Sequence, residues 1–378
     1  MKILIVMAGF FPGKKYGGPP VSIDNFCSLM KEHECYIVTK NHEKGDSIPY
    51  EEVLPGWNDR GNCKVLYLPD ISYTKVNFEK VINEIKPDFL YLQGIFQTCI
   101  LPCLRLARKY SIPVLLAPRG ELCNGALDIR KWKKIPYIEA VKVLGLVRQI
   151  YWQSTSDEET AAIKKLMKAD DSHIYRLDNI PSIPKKEYSR HDKAIGEGRF
   201  VFLSRIHPKK NLLFAISLFK KVEGNVRFDI YGPIEDEAYW NQCREEIKRL
   251  PDNVKVEYKG LVGHDQVHEV FSKYDAFLFP TFSENYGHVI AESLIIGTPV
   301  IVSDQTPWRN LEQYGAGWDI SLNDEEGFVK AINSIISASA IDRKMPMEYV
   351  SRKMNMSGLK GQYEEIVEVV SKAKRQSV

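Results

Sequence analysis

The sequence has no run approaching the roughly 18 consecutive apolar residues that a membrane-spanning helix needs, so no segment is expected to cross a bilayer. Its opening apolar stretch, residues 3–6 with an extension to Phe11, is short, interrupted by Gly9 and without a small-residue cleavage site. It reads as a first core strand and not as a secretory leader. Cysteine is scarce and does not pair: there are seven, an odd number, with no C-x-x-C spacing. That points away from a disulfide framework and toward reduced thiols in a cytoplasmic protein. Cys99 and Cys103 share a helical face but lack a second ligand pair, so packing is their expected role. A large excess of either charge is also missing, since 52 Lys and Arg against 49 Asp and Glu leave a formal +3, which does not call for a nucleic-acid partner.

Two phosphate-binding signatures fail where they would be sought, in the glycine-rich "MAGFFPGKKYGGPP" that follows the first strand. A Walker loop needs four residues between its glycines and Ser or Thr after Lys, whereas Gly9 and Gly13 enclose three and Lys14 is followed by Lys15. The dinucleotide fingerprint G-x-G-x-x-G is absent too, which disfavours a nicotinamide or flavin enzyme. No D-x-D follows an apolar strand in a loop placed to hold a metal ion, so none is expected.

What is present is alternation. Short apolar runs ("KILIV", "ECYIVT", "CKVLYL", "PDFLYLQ", "IPVLLAPRG", then "RFVFLSRI", "VRFDIYG", "VKVEYKG", "AFLFP", "TPVIVSD") alternate with helical patterns, the mark of two parallel sheets covered by helices. At 378 residues the chain suits two α/β domains of under about 200 residues each. The stretch "YRLDNIPSIPKKEYSRHDKAIGEGRF" reads as the linker, which divides an N-terminal domain (1–185, with a terminal helix at about 357–378) from a second (186–356). Two such domains facing each other would leave a cleft at the carboxyl ends of their strands, so the chemistry belongs in the loops there.

The most informative loop lies in "DAFLFPTFSENYGHVIAESLIIGTPVIVSD", where a strand is followed by a polar loop, a helix at about 288–296 and a second strand. Glu284 precedes the helix and Glu292 lies within it. Were the interval fully helical, its rise would separate them by about 12 Å. A retaining glycosidase needs its carboxylates about 5 Å apart and an inverting one under about 10 Å. This pair suits two ends of one elongated ligand better, with the helix N-terminus and the Gly287 amide between them to hold phosphates. A second loop, "SRIHPKKN", sets Arg205, Lys209 and Lys210 before a helix, where cations oppose the helix dipole unless an anion is bound.

On these residues the sequence resembles a family 4 retaining glycosyltransferase of the GT-B fold: two Rossmann-like domains across a cleft, with a C-terminal helix crossing back to the first. The carrying motifs are "ENYGHVIAE", two glutamates separated by seven residues, the G-T-P-V strand after it, and Arg205 followed five residues later by Lys210. The resemblance implies that Arg205 and Lys210 contact the diphosphate of a nucleotide-sugar donor and that Glu284, with the backbone of Asn285, Tyr286 and Gly287, holds the donor sugar. It also implies that Glu292 binds the ribose and that Gly17 and Gly18 approach the phosphates. No cofactor or metal is implied beyond the nucleotide sugar. Relatives often carry His where this chain has Arg119, with Glu121 close by. The "PRG" variant resembles enzymes of capsule, O-antigen and exopolysaccharide assembly, which places Arg119 and Glu121 on the acceptor side. Asn211 stands where Gly is common.

The activity implied is transfer of a sugar to a hydroxyl of a glycan or lipid-linked glycan. Rival readings are a sugar-nucleotide epimerase of the same fold and a non-catalytic two-domain sugar-binding protein. Lys131, Trp132, Lys133, Lys134 and Tyr137 precede an apolar pattern; they read as an ordinary surface helix or as a contact with anionic lipid at the inner face of the cell membrane.

Overall fold

The computed structural model of the chain describes residues 1–184, 186–189, 192–284 and 286–376. It divides into two compact units, Met1–Ile180 with Met356–Val378, and Pro181–Asn355.

Among the described residues the first unit holds eight strands: β1 (Lys2–Val6), β2 (Glu34–Lys40), β3 (Trp57–Asp59), β4 (Lys64–Leu68), β5 (Phe89–Gln93), β6 (Val114–Ala117), β7 (Ile150–Ser154) and β8 (Ile174–Arg176). Their order is β3-β4-β2-β1-β5-β6-β7-β8, parallel except for the β3–β4 pair. Helices cover both faces, so a strand such as β5, FLYLQ, is buried at every position and its sequence is a continuous apolar run. Leu4, Val6, Leu90 and Leu92 point into one core, and Ile3, Ile5, Phe89 and Tyr91 into the other. The last helix, Met356–Gln376, returns to this second core through Leu359, Tyr363, Ile366, Val367 and Val370.

The second unit holds β9 (Glu197–Leu203), β10 (Asn225–Tyr231), β11 (Val254–Gly260), β12 (Ala276–Phe279), β13 (Val300–Ser303) and β14 (Gly317–Ile320), all parallel, in the order β11-β10-β9-β12-β13-β14. The stretch read as a linker from Tyr175 begins as structure. It opens inside β8, and Leu177 and Ile180 are buried in the first unit's core.

Candidate functional site

In the second sheet the strand order reverses between β9 and β12. Connections leave the carboxyl ends of these two neighbours in opposite directions, and open α/β sheets bind ligands in the resulting crevice. The loops concerned are residues 204–211 and 280–287. They are joined: the Phe282 amide donates to the Lys209 carbonyl (3.0 Å) and the Thr281 hydroxyl donates to the same oxygen (3.1 Å). The end of β13 and the loop after it support them, the Ser303 hydroxyl donating to the Thr281 carbonyl and the Gln305 carbonyl accepting from the Glu284 amide at 3.1 Å.

This scaffold brings Lys210 and Glu284 together, the Lys210 ammonium donating to Glu284 Oε1. Burial pushes the lysine below its ordinary value, while the glutamate pulls it back up. In so dry a place each charge depends on the other. Arg205 pairs with Glu235 (Nη1 to Oε2, 2.8 Å) nearer the surface, and Lys209 is exposed. Asn211 has φ +59, the left-handed conformation that explains why Gly is common there. Gly287 opens the helix His288–Ile295 at φ +77, with no side-chain cap and no acidic residue in the first turn. That end of the helix keeps its positive dipole uncompensated. The Trp308 indole donates to the Tyr286 carbonyl at 2.6 Å and fixes the approach to the helix. Asn285, predicted to face the donor sugar, lies outside the described residues.

Glu292 sits inside the unit at 3% exposure. The Ser182 hydroxyl donates to its Oε1 at 3.3 Å, and His264 Nδ1 stands 3.6 Å from the same oxygen. Burial raises the Glu292 pKa, and His264 and Ser182 draw it back down. Sequence reasoning missed Ser182, His264 and Glu235. A signal existed for His264 and Glu235, since both follow strands of this sheet in Gly- or Pro-marked loops.

The first sheet reverses between β1 and β5. Here the glycine-rich loop turns out to hold a carboxylate of the protein itself: the amides of Lys14 and Lys15 donate to Glu43 at 2.7 and 3.0 Å. Packing accounts for two of its glycines. A Cβ on Gly9 would lie 2.1 Å from the Tyr16 ring, and one on Gly13 would lie 2.5 Å from the Tyr50 hydroxyl. Tyrosines clamp the loop, Tyr73 donating to the Met7 carbonyl and Tyr16 to the His42 carbonyl, both at 2.8 Å. Gly17 and Gly18, predicted to approach the phosphates, stand at the start of the helix Gly18–Leu29, whose first turn also lacks an acidic residue.

Arg119 and Glu121 stand in loops of this first unit. Arg119 donates to Gln93 Oε1 (2.8 Å), Asn179 Oδ1 and the Tyr91 hydroxyl (3.3 Å). Glu121 accepts from the amides of Ile95 (2.6 Å) and Phe96 (2.9 Å) and from the Gln97 side chain (2.8 Å). In the basic segment, Lys131 pairs with Asp128 (3.0 Å) and Lys134 donates to the Ala126 carbonyl (2.6 Å). Trp132 is 74% exposed, and Lys133 lies over its ring.

Residues 185–353 match the family described as "Glycosyl transferases group 1". A Klebsiella pneumoniae protein described as an uncharacterized 41.2 kDa protein in the cps region is 21% identical over 76% of this chain and 80% of its own length. The alpha-monoglucosyldiacylglycerol synthase of Streptococcus pneumoniae is 30% identical over 31% of this chain and 26% of its own length. Among solved structures, the sucrose-phosphate synthase of Thermosynechococcus elongatus superposes with a TM-score of 0.71 at 14% identity, covering 98% of this chain and 99% of the other. Anabaena HepE, solved with UDP and glucose, gives 0.70 at 13% identity, covering 98% and 100%. Residues 185–353 thus resemble the glycosyl transferases group 1 family, and the chain's two Rossmann-like units have the GT-B fold.

Proposed function

We propose that the chain is a retaining glycosyltransferase that moves a sugar from a nucleoside diphosphate to a hydroxyl of a glycan or lipid-linked glycan in cell-surface polysaccharide assembly. The observation that carries this reading is the buried Lys210–Glu284 pair between the two joined loops, one of which leads into the uncapped helix start at Gly287, at the strand-order reversal of the second sheet. The cps-region relative supports the polysaccharide setting, and the UDP held by HepE supports the donor class.

In this reading the bond from the sugar's anomeric carbon to the diphosphate oxygen breaks with its electron pair on the phosphate, and the acceptor hydroxyl bonds to that carbon. Its proton passes to the departing phosphate on the same face. Arg205, Lys210 and the amides at Gly287 then stabilise charge where it develops, which is the largest lever available to such a site. Glu284 and the Tyr286–Gly287 backbone, with Asn285, orient the sugar, and Glu292 takes the ribose. Arg119 and Glu121 act on the acceptor side by holding the loops after β5 and β6 in shape. Because the cations supply the charge a divalent ion would bring, transfer should survive EDTA.

The test is to incubate the purified protein with UDP- and GDP-sugars, with and without glycan acceptors, and follow transfer. Loss of activity on chelation, restored by manganese, would contradict the metal-independent part. Isomerised donor in the absence of any acceptor would favour the epimerase.

A further inference from the structure

Glu292 is a buried carboxylate with no lysine or arginine at ion-pair distance among the described residues. Leaving such a group charged and unpartnered is costly, and the usual outcome is that it takes up a proton. Protonation would turn one Glu292 oxygen into a donor and leave a neutral carboxyl that accepts from the two ribose hydroxyls more weakly than a carboxylate does.

The surroundings answer this. The Ser182 hydroxyl, itself 6% exposed, donates to Glu292 Oε1 at 3.3 Å and lies 3.0 Å from His264 Nε2, while His264 Nδ1 stands 3.6 Å from the same Oε1. One ring nitrogen thus faces the carboxylate directly and the other reaches it through the serine. With the serine proton given to Glu292, its oxygen accepts from Nε2–H, and a second proton on Nδ1, at 3.6 Å too far for a hydrogen bond, would act on Oε1 through its charge. Other titratable or charged groups on the surrounding elements do not fill this place. His288 stands one turn earlier on the same helix, against the Tyr286 ring. Arg343, beside the helix Lys344–Lys353, is engaged by Thr298 Oγ1 and the carbonyls of Gly297 and Tyr274. His268, on the helix Val267–Ser272, is pushed down to about 4 by burial and by His264, and is neutral near pH 7.

We propose that His264 is the counter-ion of Glu292, acting directly and through Ser182 as a positioning pair that keeps the nucleoside-binding carboxylate ionised. This rests on the reading that Glu292 binds the ribose. The donor carboxylate would then be ready at neutral and mildly acidic pH, and the chain would discriminate for a ribose diol.

The experiment titrates the full-length protein with UDP and GDP, and with their 2′,3′-dideoxy forms, by calorimetry from pH 5.5 to 8.5. It compares wild type, His264→Gln, Ser182→Ala and Glu292→Gln after checking that each is folded. Ratios to wild type cancel the titration of the diphosphate itself. Removing the cation raises the Glu292 pKa further, and below that value each pH unit weakens diol binding by about tenfold. His264→Gln is therefore expected to lose about tenfold or more at pH 6 and to converge on wild type as the pH rises. Ser182→Ala should move in the same direction by a smaller factor. A loss that is equal at every pH, or no loss, would overturn the counter-ion role. If Glu292→Gln binds the ribose and dideoxy nucleotides as wild type does, the ribose reading itself falls, an outcome separate from a flat His264→Gln profile on a Glu292-dependent site.

Discussion

Glu284 and Glu292 carry different burdens although both are glutamates of one motif. In the proposed reading Glu292 would contact a group that does not change during transfer, which is uniform binding, so Glu292→Ala should raise the donor KM with kcat largely kept. Glu284 would stand beside the reacting sugar in that reading, and its removal should appear mainly in kcat. The structure adds a consequence that spacing could not supply. Because Glu284 is the partner of the buried Lys210 ammonium, Glu284→Ala strands that charge, at about 3–5 kcal/mol for a broken buried pair. A diphosphate would restore a partner to Lys210. Saturating UDP or GDP should therefore raise the thermal midpoint of Glu284→Ala more than that of wild type, measured by calorimetry. Equal ligand-induced shifts would mean that the phosphates do not reach Lys210.

At the level of elements, loop conformation decides what the glycines do. Gly17 has φ +74 and ψ −145, a combination essentially restricted to glycine, and an added Cβ there meets nothing within 4 Å. Gly17→Ala should therefore cost about 1–3 kcal/mol through backbone strain alone. It should lower transfer while leaving UDP or GDP affinity at the second unit in place; unchanged transfer and stability would show that the helix start at Gly18 has no part in the reaction. In the helix Lys131–Val143, Lys131 and Lys134 have partners, whereas Lys133 is exposed and lies over the exposed Trp132 ring. If this helix touches anionic lipid, Lys133→Glu with Trp132→Ala should weaken co-sedimentation with phosphatidylserine vesicles, at about 1 kcal/mol for the lysine. Lys131→Glu alone should matter less. Vesicle binding that is the same in all three proteins would make this an ordinary surface helix.

For the molecule as a whole, the strands were legible because both faces of each sheet are covered, so "KILIV" and "AFLFP" read as unbroken apolar runs. Four strands escaped: β3 and β8, three residues each and too short to show a period, and β7 (IYWQS) and β14 (GWDI), whose polar residues and glycine break the apolar run. Arg205, Lys210, Glu284 and Glu292 could be found by their place after strands. Their partners could not, because Ser182 is 110 positions from Glu292 and Glu43 is 29 from Lys14, distances that only the fold closes. The return of the last helix to the first unit is such a long-range closure, and it is testable. Tyr363 is 2% exposed; its hydroxyl donates to the Asp178 carbonyl (3.0 Å) and accepts from Gln153 Nε2 (2.8 Å). Tyr363→Phe leaves both partners unsatisfied, at about 1–3 kcal/mol. Tyr363→Ala also removes a ring from the core, at about 3–5 kcal/mol on the scale of large aromatic truncations. Both losses belong to the first unit, whereas the proposed nucleotide site belongs to the second. Scanning calorimetry of Tyr363→Ala should therefore separate two transitions, with UDP or GDP raising only the later one. A single transition that shifts as one with nucleotide would show that the two units unfold together and that Tyr363 supports both.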